Sequence, residues 1–395
     1  MSIPATPFSR RRLVFGTGAA AVLGLAGCRA PQPVAAPNQP PRTRLRLIGE
    51  SRIAHRLQFQ GTTVGGLSGI DYDAANDLYY LISDDGSSIN PARFYTARIA
   101  LGMDSLGPPE LLGVTTLRQT DGSVYPSSAL QGRQVPDPES IRWRPGSQTV
   151  LWTSEGHALT GAAPALRETR PDGTLVREFA LPAMFDFQLT QGPRGNLTLE
   201  GLALTPDGAT AWIAMENALR EDGPVPTVQA PGGPCRFTQM DLASGKALRQ
   251  IAYVPDAIPR APVPPTAHAD NGVVEILMLD ANRMLVLERA FMAGWGPDTG
   301  NSLRLYLVDT QQGSDTLATP VLQGGAYRAV EKTLIADFSA FTGPGTGPRL
   351  ERLDNIEGMA WGPVLTNGNR SLVFISDDNF SSRQISQWLA FEFLD

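Results

Sequence analysis

The sequence predicts an all-β chain closed into a β-propeller of five blades, and three observations predict it. Strand–turn–strand units recur five times with acids at matching ends, further strands follow each unit, and the first strand of the chain is the one the last unit lacks.

The paired residues are Ser68 with Asp84, Glu139 with Glu155, Glu200 with Glu216, Glu275 with Glu288, and Glu357 with Asp377. Residues that face each other across an antiparallel hairpin are equidistant from its turn. The midpoints fall on Asn76 in AAND, Ser147 in RPGSQ, Gly208 in TPDGA, Ala281 and Asn282 in LDANR, and Asn367 in TNGN. Asn and Gly accept the positive φ of tight turns, so every unit reads as a hairpin with both acids at one end.

Third strands begin at Arg93 (RFYTARI), Leu166 (LRETR), Arg236 (RFTQMDL), Leu303 (LRLYLVD) and Gln384 (QISQWLAFEFL). Fourth strands are proposed at PELLGVTTL, LVREFALP, ALRQIAYV and VEKTLIAD. The last unit ends after three strands, and LRLIGESRIA ahead of the first unit supplies its fourth. Closing the ring this way removes free sheet edges. A six-bladed ring is the alternative, with a further blade inside Glu110 to Pro136 or Gly313 to Arg352.

Residues 1–28 read as a twin-arginine export signal, from Ser9-Arg10-Arg11-Arg12-Leu13-Val14 through an apolar run to Leu25-Ala26-Gly27-Cys28. The last four residues resemble the lipobox of bacterial lipoproteins, in which the cysteine is acylated. From Leu13 to Gly27 the run is shorter than the roughly 20 residues needed to span a bilayer. Residues 29–44, rich in Pro, Gln and Ala, form a flexible tether, and residues 45–395 form a single propeller domain. The expectation is export by the twin-arginine route to the periplasm or outer membrane of a bacterium, with Cys28 as a lipid anchor and no other membrane contact.

Forty Gly and 33 Pro suit many short strands joined by turns and exclude a helical protein. With Cys28 used for lipid, Cys235 remains alone as a buried residue, so no intramolecular disulfide forms. A net charge of −6 with a pI near 5.3 argues against a nucleic-acid surface. The chain is expected to be a monomer.

In a propeller the first strand of each blade lines the central channel, so the acids form an inner and a second ring at one mouth. Carboxylates a few ångströms apart raise one another's pKa unless a cation compensates them. Ca²⁺ suits an all-oxygen set of Glu carboxylates with one Ser hydroxyl. Zinc is disfavoured because His55, His157 and His268 show no ligand spacing. The plain alternative is that each acid only caps its own turn. Arg93, Arg167, Arg236, Arg304 and Arg383 sit near the starts of third strands, where intrablade ion pairs are the structural expectation. Arg289 and the loop residue His157 are separate candidates near the mouth. Five tryptophans fall within strands as core residues, and Trp295, in FMAGWGPDTG, is the exception.

GGLSGIDYD with ISDDG, DPESIRW with SEG, NLTLEGLAL with MENAL, and NIEGMAWGP with FISDDNFS resemble the phytase-like family, described by the esterase-like activity of phytase. The resemblance runs from about Gly65 to Phe393 and implies a propeller that hydrolyses phosphate esters with calcium. One ligand per blade is also similar to calcium-activated apyrases, five-bladed propellers whose axial Ca²⁺ is held by Ser and Glu. Calcium-dependent bacterial phytases have six blades, and a count of five departs from them.

The expectation is therefore a calcium-dependent hydrolase acting on a small anionic phosphate ester. Ser68, Glu139, Glu200, Glu275 and Glu357 hold Ca²⁺, Arg93, Arg289 and His157 bind substrate, and Glu155, Glu216, Asp84 and Asp377 supply acid–base chemistry to water. No GxSxG nucleophile motif occurs. A calcium-stabilised binding propeller and a two-carboxylate glycosidase remain open.

Overall fold

The structure is a computed structural model that describes residues 44–127, 135–158, 161–188, 190–295 and 300–394. The signal and nearly all of the tether, Cys28 included, lie outside the described residues.

Among the described residues there are five four-stranded antiparallel sheets and one two-stranded ribbon, Gln58–Phe59 with Thr62–Thr63. Blade one contains Leu67–Asp73, Leu78–Ser83, Arg93–Arg98 and Glu110–Thr116, and blade two Pro138–Arg144, Thr149–Ser154, Ala165–Thr169 and Leu175–Phe179. Blade three contains Leu199–Leu204, Thr210–Met215, Cys235–Asp241 and Ala247–Tyr253. Ala269–Met278, Arg283–Met292, Asn301–Asp309 and Lys332–Asp337 make blade four. Blade five takes Ile356–Val364, Arg370–Ser376 and Ser386–Phe393 from the C-terminus and Leu45–Ile53 from the N-terminus.

The first strand of each blade packs on that of the next, and blade five returns to blade one. The closing strand pairs from Leu45 opposite Phe393 to Ile53 opposite Ser386, and the Arg46 Nε–Glu392 contact of 2.5 Å ties the seam. Among the described residues there is no sixth four-stranded sheet. The proposed fourth strands at Glu110–Thr116 and Lys332–Asp337 complete blades one and four, and Phe338–Phe341 is a single 3₁₀ turn.

Apolar residues alternate onto the faces between blades and fill them. Trp152, Trp212 and Trp388 are fully buried, as is Cys235 at the start of its strand, with its thiol donating to the Glu216 carbonyl. Positive φ falls on the predicted midpoint at Gly208 (+67°) and one residue past it at Gly368 (+88°), Asp77 (+49°) and Gln148 (+53°).

The feature that positions the site is a β-bulge in every first strand, between Leu67 and Gly69, Pro138 and Ile141, Leu199 and Gly201, Val273 and Glu275, and Ile356 and Gly358. A bulge inserts an extra residue and re-aims side chains beside it. Four of these bulges contain Ser68, Glu139, Glu200 and Glu357. The fourth contains Val274, and Glu275 is one residue beyond it.

Candidate metal and catalytic site

Blade four corrects the sequence reading. In blades one, two, three and five the first-strand bulge holds Ser68, Glu139, Glu200 or Glu357, and one residue past the second-strand partner on the mouth side of that bulge stands Asp84, Glu155, Glu216 or Asp377. In blade four the pair on the mouth side of the bulge is Val273 with Glu288, so the corresponding bulge residue is Val274 and the corresponding second-strand residue is Arg289. A shift of one residue turns a strand side chain to the opposite face. Glu275 thus leaves the inner ring, and Arg289 takes the second-ring place.

Glu275 occupies the register position of Gly69, Ser140, Gly201 and Gly358, which face the channel axis. There is little room at that level: a Cβ on Gly69 would meet the Glu139 carbonyl oxygen at 2.5 Å, and one on Gly358 the Ser68 carbonyl oxygen at 2.9 Å. One large side chain fills it. The Glu275 carboxylate accepts from Ser140 Oγ at 2.7 Å and from the backbone N–H groups of Leu202 and Ile276 at 2.9 Å, and pairs with Arg142 Nη2 at 2.8 Å. Arg142 also donates to the carbonyls of Ile70, Ile141, Ile276 and Met359, from the first strands of four blades. Burial raises the Glu275 pKa to about 7 against the opposing pull of Arg142 and these donors. This pair plugs the channel beneath the mouth.

Above it lies a cavity of about 830 Å³ lined by ten carboxylate residues and three arginines. Of the sequence candidates, Glu139, Glu200, Glu357, Asp84, Glu155, Glu216, Asp377 and Arg289 line it. Ser68 is not among the lining residues but bonds to two of them, with its hydroxyl placed to donate to Glu139 Oε2 at 2.7 Å and Glu357 Oε2 at 3.3 Å. Carboxylate oxygens of Asp137, Glu139 and Glu155 lie within 4.8 Å of one another, as do those of Glu155, Glu200 and Glu216. Glu155 belongs to both groups, so the two rings merge on this side.

Burial pushes these carboxyls up, and mutual repulsion adds to it. Asp137 rises to about 7 from burial and then the charges of Asp85 and Glu357, and Glu155 to about 8 from burial and then Asp137. Glu139, Glu200, Glu216, Asp84 and Asp377 are all raised well above the carboxylate range, with burial first. The Arg289 Nη groups reach Glu357 at 3.2 Å and Asp270 at 3.5 Å. Burial lowers its pKa, but the charges of Glu357, Asp270, Glu216 and Glu200 outweigh that and raise it. Its Nε is buried with no hydrogen-bond partner among the described residues. A set of oxygen donors this dense, with so little positive charge, has the composition of a hard-cation site.

Two other candidates lie elsewhere. Arg93 is fully buried, paired with Asp85 at 2.7 Å and bonded to the Tyr95 hydroxyl and the Thr63 carbonyl; it does not line the cavity. Of its counterparts near other third strands, Arg167 pairs with Glu178, Arg236 with Asp222 and Arg304 with Asp337, whereas Arg383 lines the acidic cavity. None of these acids belongs to the second ring, so the intrablade ion pairs are real but their partners differ. His157 is held by its backbone N–H on the Ala162 carbonyl and is not among the lining residues.

Asp137, Asp270 and Asn355 line the cavity without having been singled out. Asn355 Nδ2 bridges Glu357 Oε1 at 3.0 Å and Asp377 Oδ2 at 3.2 Å. A legible signal existed: Asp137 and Asn355 each stand two residues before an inner-ring glutamate, in DPES and NIEG. Residues two apart on a strand share a face.

The family model described as phytase-like, esterase-like activity of phytase, matches residues 62–380. No curated protein sequence matches the chain. Among solved structures, the chain is similar to the catalytic domain of a Coprinopsis cinerea GH62 α-L-arabinofuranosidase (9% identity, TM-score 0.41, covering 89% of this chain and 98% of that one). It is also similar to MPT-4, a mannose phosphorylase from Leishmania mexicana in complex with phosphate ion (10% identity, TM-score 0.41, 88% of each chain). A third is the Dos1 propeller (8% identity, TM-score 0.34, 82% of this chain and 68% of that one). The family match spans most of the ring and both halves of the acidic mouth, and the chain belongs to the phytase-like family of hydrolase-type propellers.

Proposed function

We propose that the protein is a calcium-dependent hydrolase of phosphate esters, exported and lipid-anchored through Cys28. The observation that supports the reading best is the pair of overlapping carboxylate triads that share Glu155 and face a cavity with Arg289 beside it. Asp137, Glu139, Glu155, Glu200 and Glu216 would hold the cation. All lining donors in these triads are oxygens, and none of the chain's three histidines lines the cavity, which favours Ca²⁺ over zinc. When bound, calcium would neutralise phosphoryl oxygens and draw electron density from phosphorus.

The chain's own residues divide the remaining work. Arg289, with a buried Nε–H still unbonded, donates to a phosphoryl oxygen and orients the ester. Asp84 and Asp377 line the same cavity outside the two triads, and the Asp377 charge raises the Asp84 carboxyl after burial, so that together they hold fewer than two negative charges. Such a pair accepts a proton from the attacking water and returns one to the leaving oxygen. The water oxygen bonds to phosphorus as the P–O bond to the leaving group breaks, so a monoester gives phosphate and the alcohol, and a diester a phosphomonoester and the alcohol.

The test is a panel of phosphomonoesters, phosphodiesters and nucleotides assayed on the full chain with calcium and then with chelator. Hydrolysis that chelation abolishes and calcium restores is expected. A chelator-induced loss of thermal stability with no turnover of any ester would replace the enzyme by a calcium-stabilised binding propeller. Membrane fractionation of the native chain against Cys28→Ser tests the anchor; equal partitioning would remove it.

A further inference from the structure

Trp295 differs from the tryptophans that pack the blades. It is half-buried, follows the second strand of blade four, and lines the acidic cavity together with Phe291. Its indole N–H donates to the Ala261 carbonyl at 3.0 Å, which fixes the ring's orientation. The Arg260 guanidinium lies 3.9 Å from the ring centroid, within cation–π distance. Arg260 itself lines a neighbouring cavity of about 820 Å³ and not the acidic one. The indole therefore lines the acidic mouth with a cation over its ring. Phe291 is two residues beyond Arg289, on the same strand face and roughly 7 Å along it.

A ring fixed in this way in the cavity that Arg289 also lines is a place for the part of a substrate that is not phosphate. Two ligand chemistries use such a surface: the C–H faces of sugars and planar unsaturated rings. A cation against the indole opposes the negative face that attracts polarised C–H groups, while the contact area and dispersion of ring stacking are kept. Building on the proposed function, we infer that Trp295 is a stacking platform for the leaving group, and that the preferred substrates are phosphate esters whose alcohol carries a planar, unsaturated ring.

Benzylphosphonate and cyclohexylmethylphosphonate test this without chemistry at phosphorus, because they have the same charge and nearly the same size but only one is planar. Their binding is measured by calorimetry on the calcium-loaded full chain and as inhibition of hydrolysis. The planar ligand is expected to bind at least about fivefold more tightly, the scale of an aromatic pair. Trp295→Ala should level the two, while Trp295→Phe, which keeps a ring at that place, should retain most of the preference. Equal affinity in the native chain, or a preference that survives Trp295→Ala in a folded protein, overturns the platform. Ring preference without turnover of any ester supports the platform and overturns the hydrolase reading; turnover without ring preference does the reverse.

Discussion

Blade four and the other four blades are built alike as sheets and opposite as chemistry. Blades one, two, three and five present a hydroxyl or acid from the first strand and an acid from the second at the mouth. Blade four presents Val274 and Arg289 in those places and sends its acid, Glu275, down the axis to Arg142. The difference is one residue of register. It turns a symmetric ring of like charges into an open arc of carboxylates closed by a guanidinium, and it uses the displaced acid to plug the channel. Asymmetry of this kind separates a place for a cation from a place for its anionic ligand.

The largest effect should come from breaking the plug. Removing one partner of a buried ion pair leaves the other charge uncompensated and costs about 3–5 kcal/mol. Glu275→Ala should lower unfolding free energy by that amount in urea, equally with calcium and with chelator. Glu200→Gln should behave in the opposite way. It is expected to leave chelated stability nearly unchanged but reduce calcium affinity at least about tenfold, with hydrolysis falling in parallel. If Glu275→Ala changes calcium affinity as much as Glu200→Gln does, blade four is not distinct from the others.

The charge imbalance gives a pH signature. Asp137 and Glu155 have folded pKa values raised to about 7 and about 8, above unfolded values of about 3.9 and 4.3. Between those limits the chelated native state binds more protons than the unfolded state, so its stability must fall as pH rises from about 4 to about 8. Calcium binding displaces the same protons, so the loaded protein should lose this slope, and the benefit of calcium should grow with pH. Thermal melts across that range with calcium or chelator will show it; parallel curves would mean that the carboxylates do not share a cation.

A smaller effect is expected at the guanidinium. Arg289→Gln keeps a donor but loses the charge, and should raise KM for a phosphate ester about tenfold with a lesser change in kcat. A change in kcat alone would move Arg289 from binding to the transition state.

The ring itself was legible because turns are local. Turn-forming residues at or beside the midpoints, and the alternation around them, specify each hairpin without reference to the rest of the chain. The missing fourth strand of the last unit likewise pointed to Leu45–Ile53. The site was legible only where the repeat is regular. Glu275 and Glu288 are separated by an odd number of positions, with a midpoint between two residues, whereas the other four pairs are centred on one. That parity was the visible sign of the offset, and the bulges explain it: pairing by distance from the turn shifts by one residue wherever an extra residue enters one strand. Arg93 was misplaced for a different reason. Whether it turns toward the mouth or toward Asp85 depends on loop residues 84–92, whose path no periodicity describes.

The central claim is that blades two and three make a cation site and blade four supplies the anion-binding arginine beside it. Anomalous diffraction from a calcium-soaked crystal of the native chain tests it most directly. Calcium density among Asp137, Glu139, Glu155, Glu200 and Glu216, with none at the level of Glu275 and Arg142, is the expected result. A peak on the axis at Glu275, or a mouth without calcium at concentrations that saturate extracellular calcium modules, would contradict it.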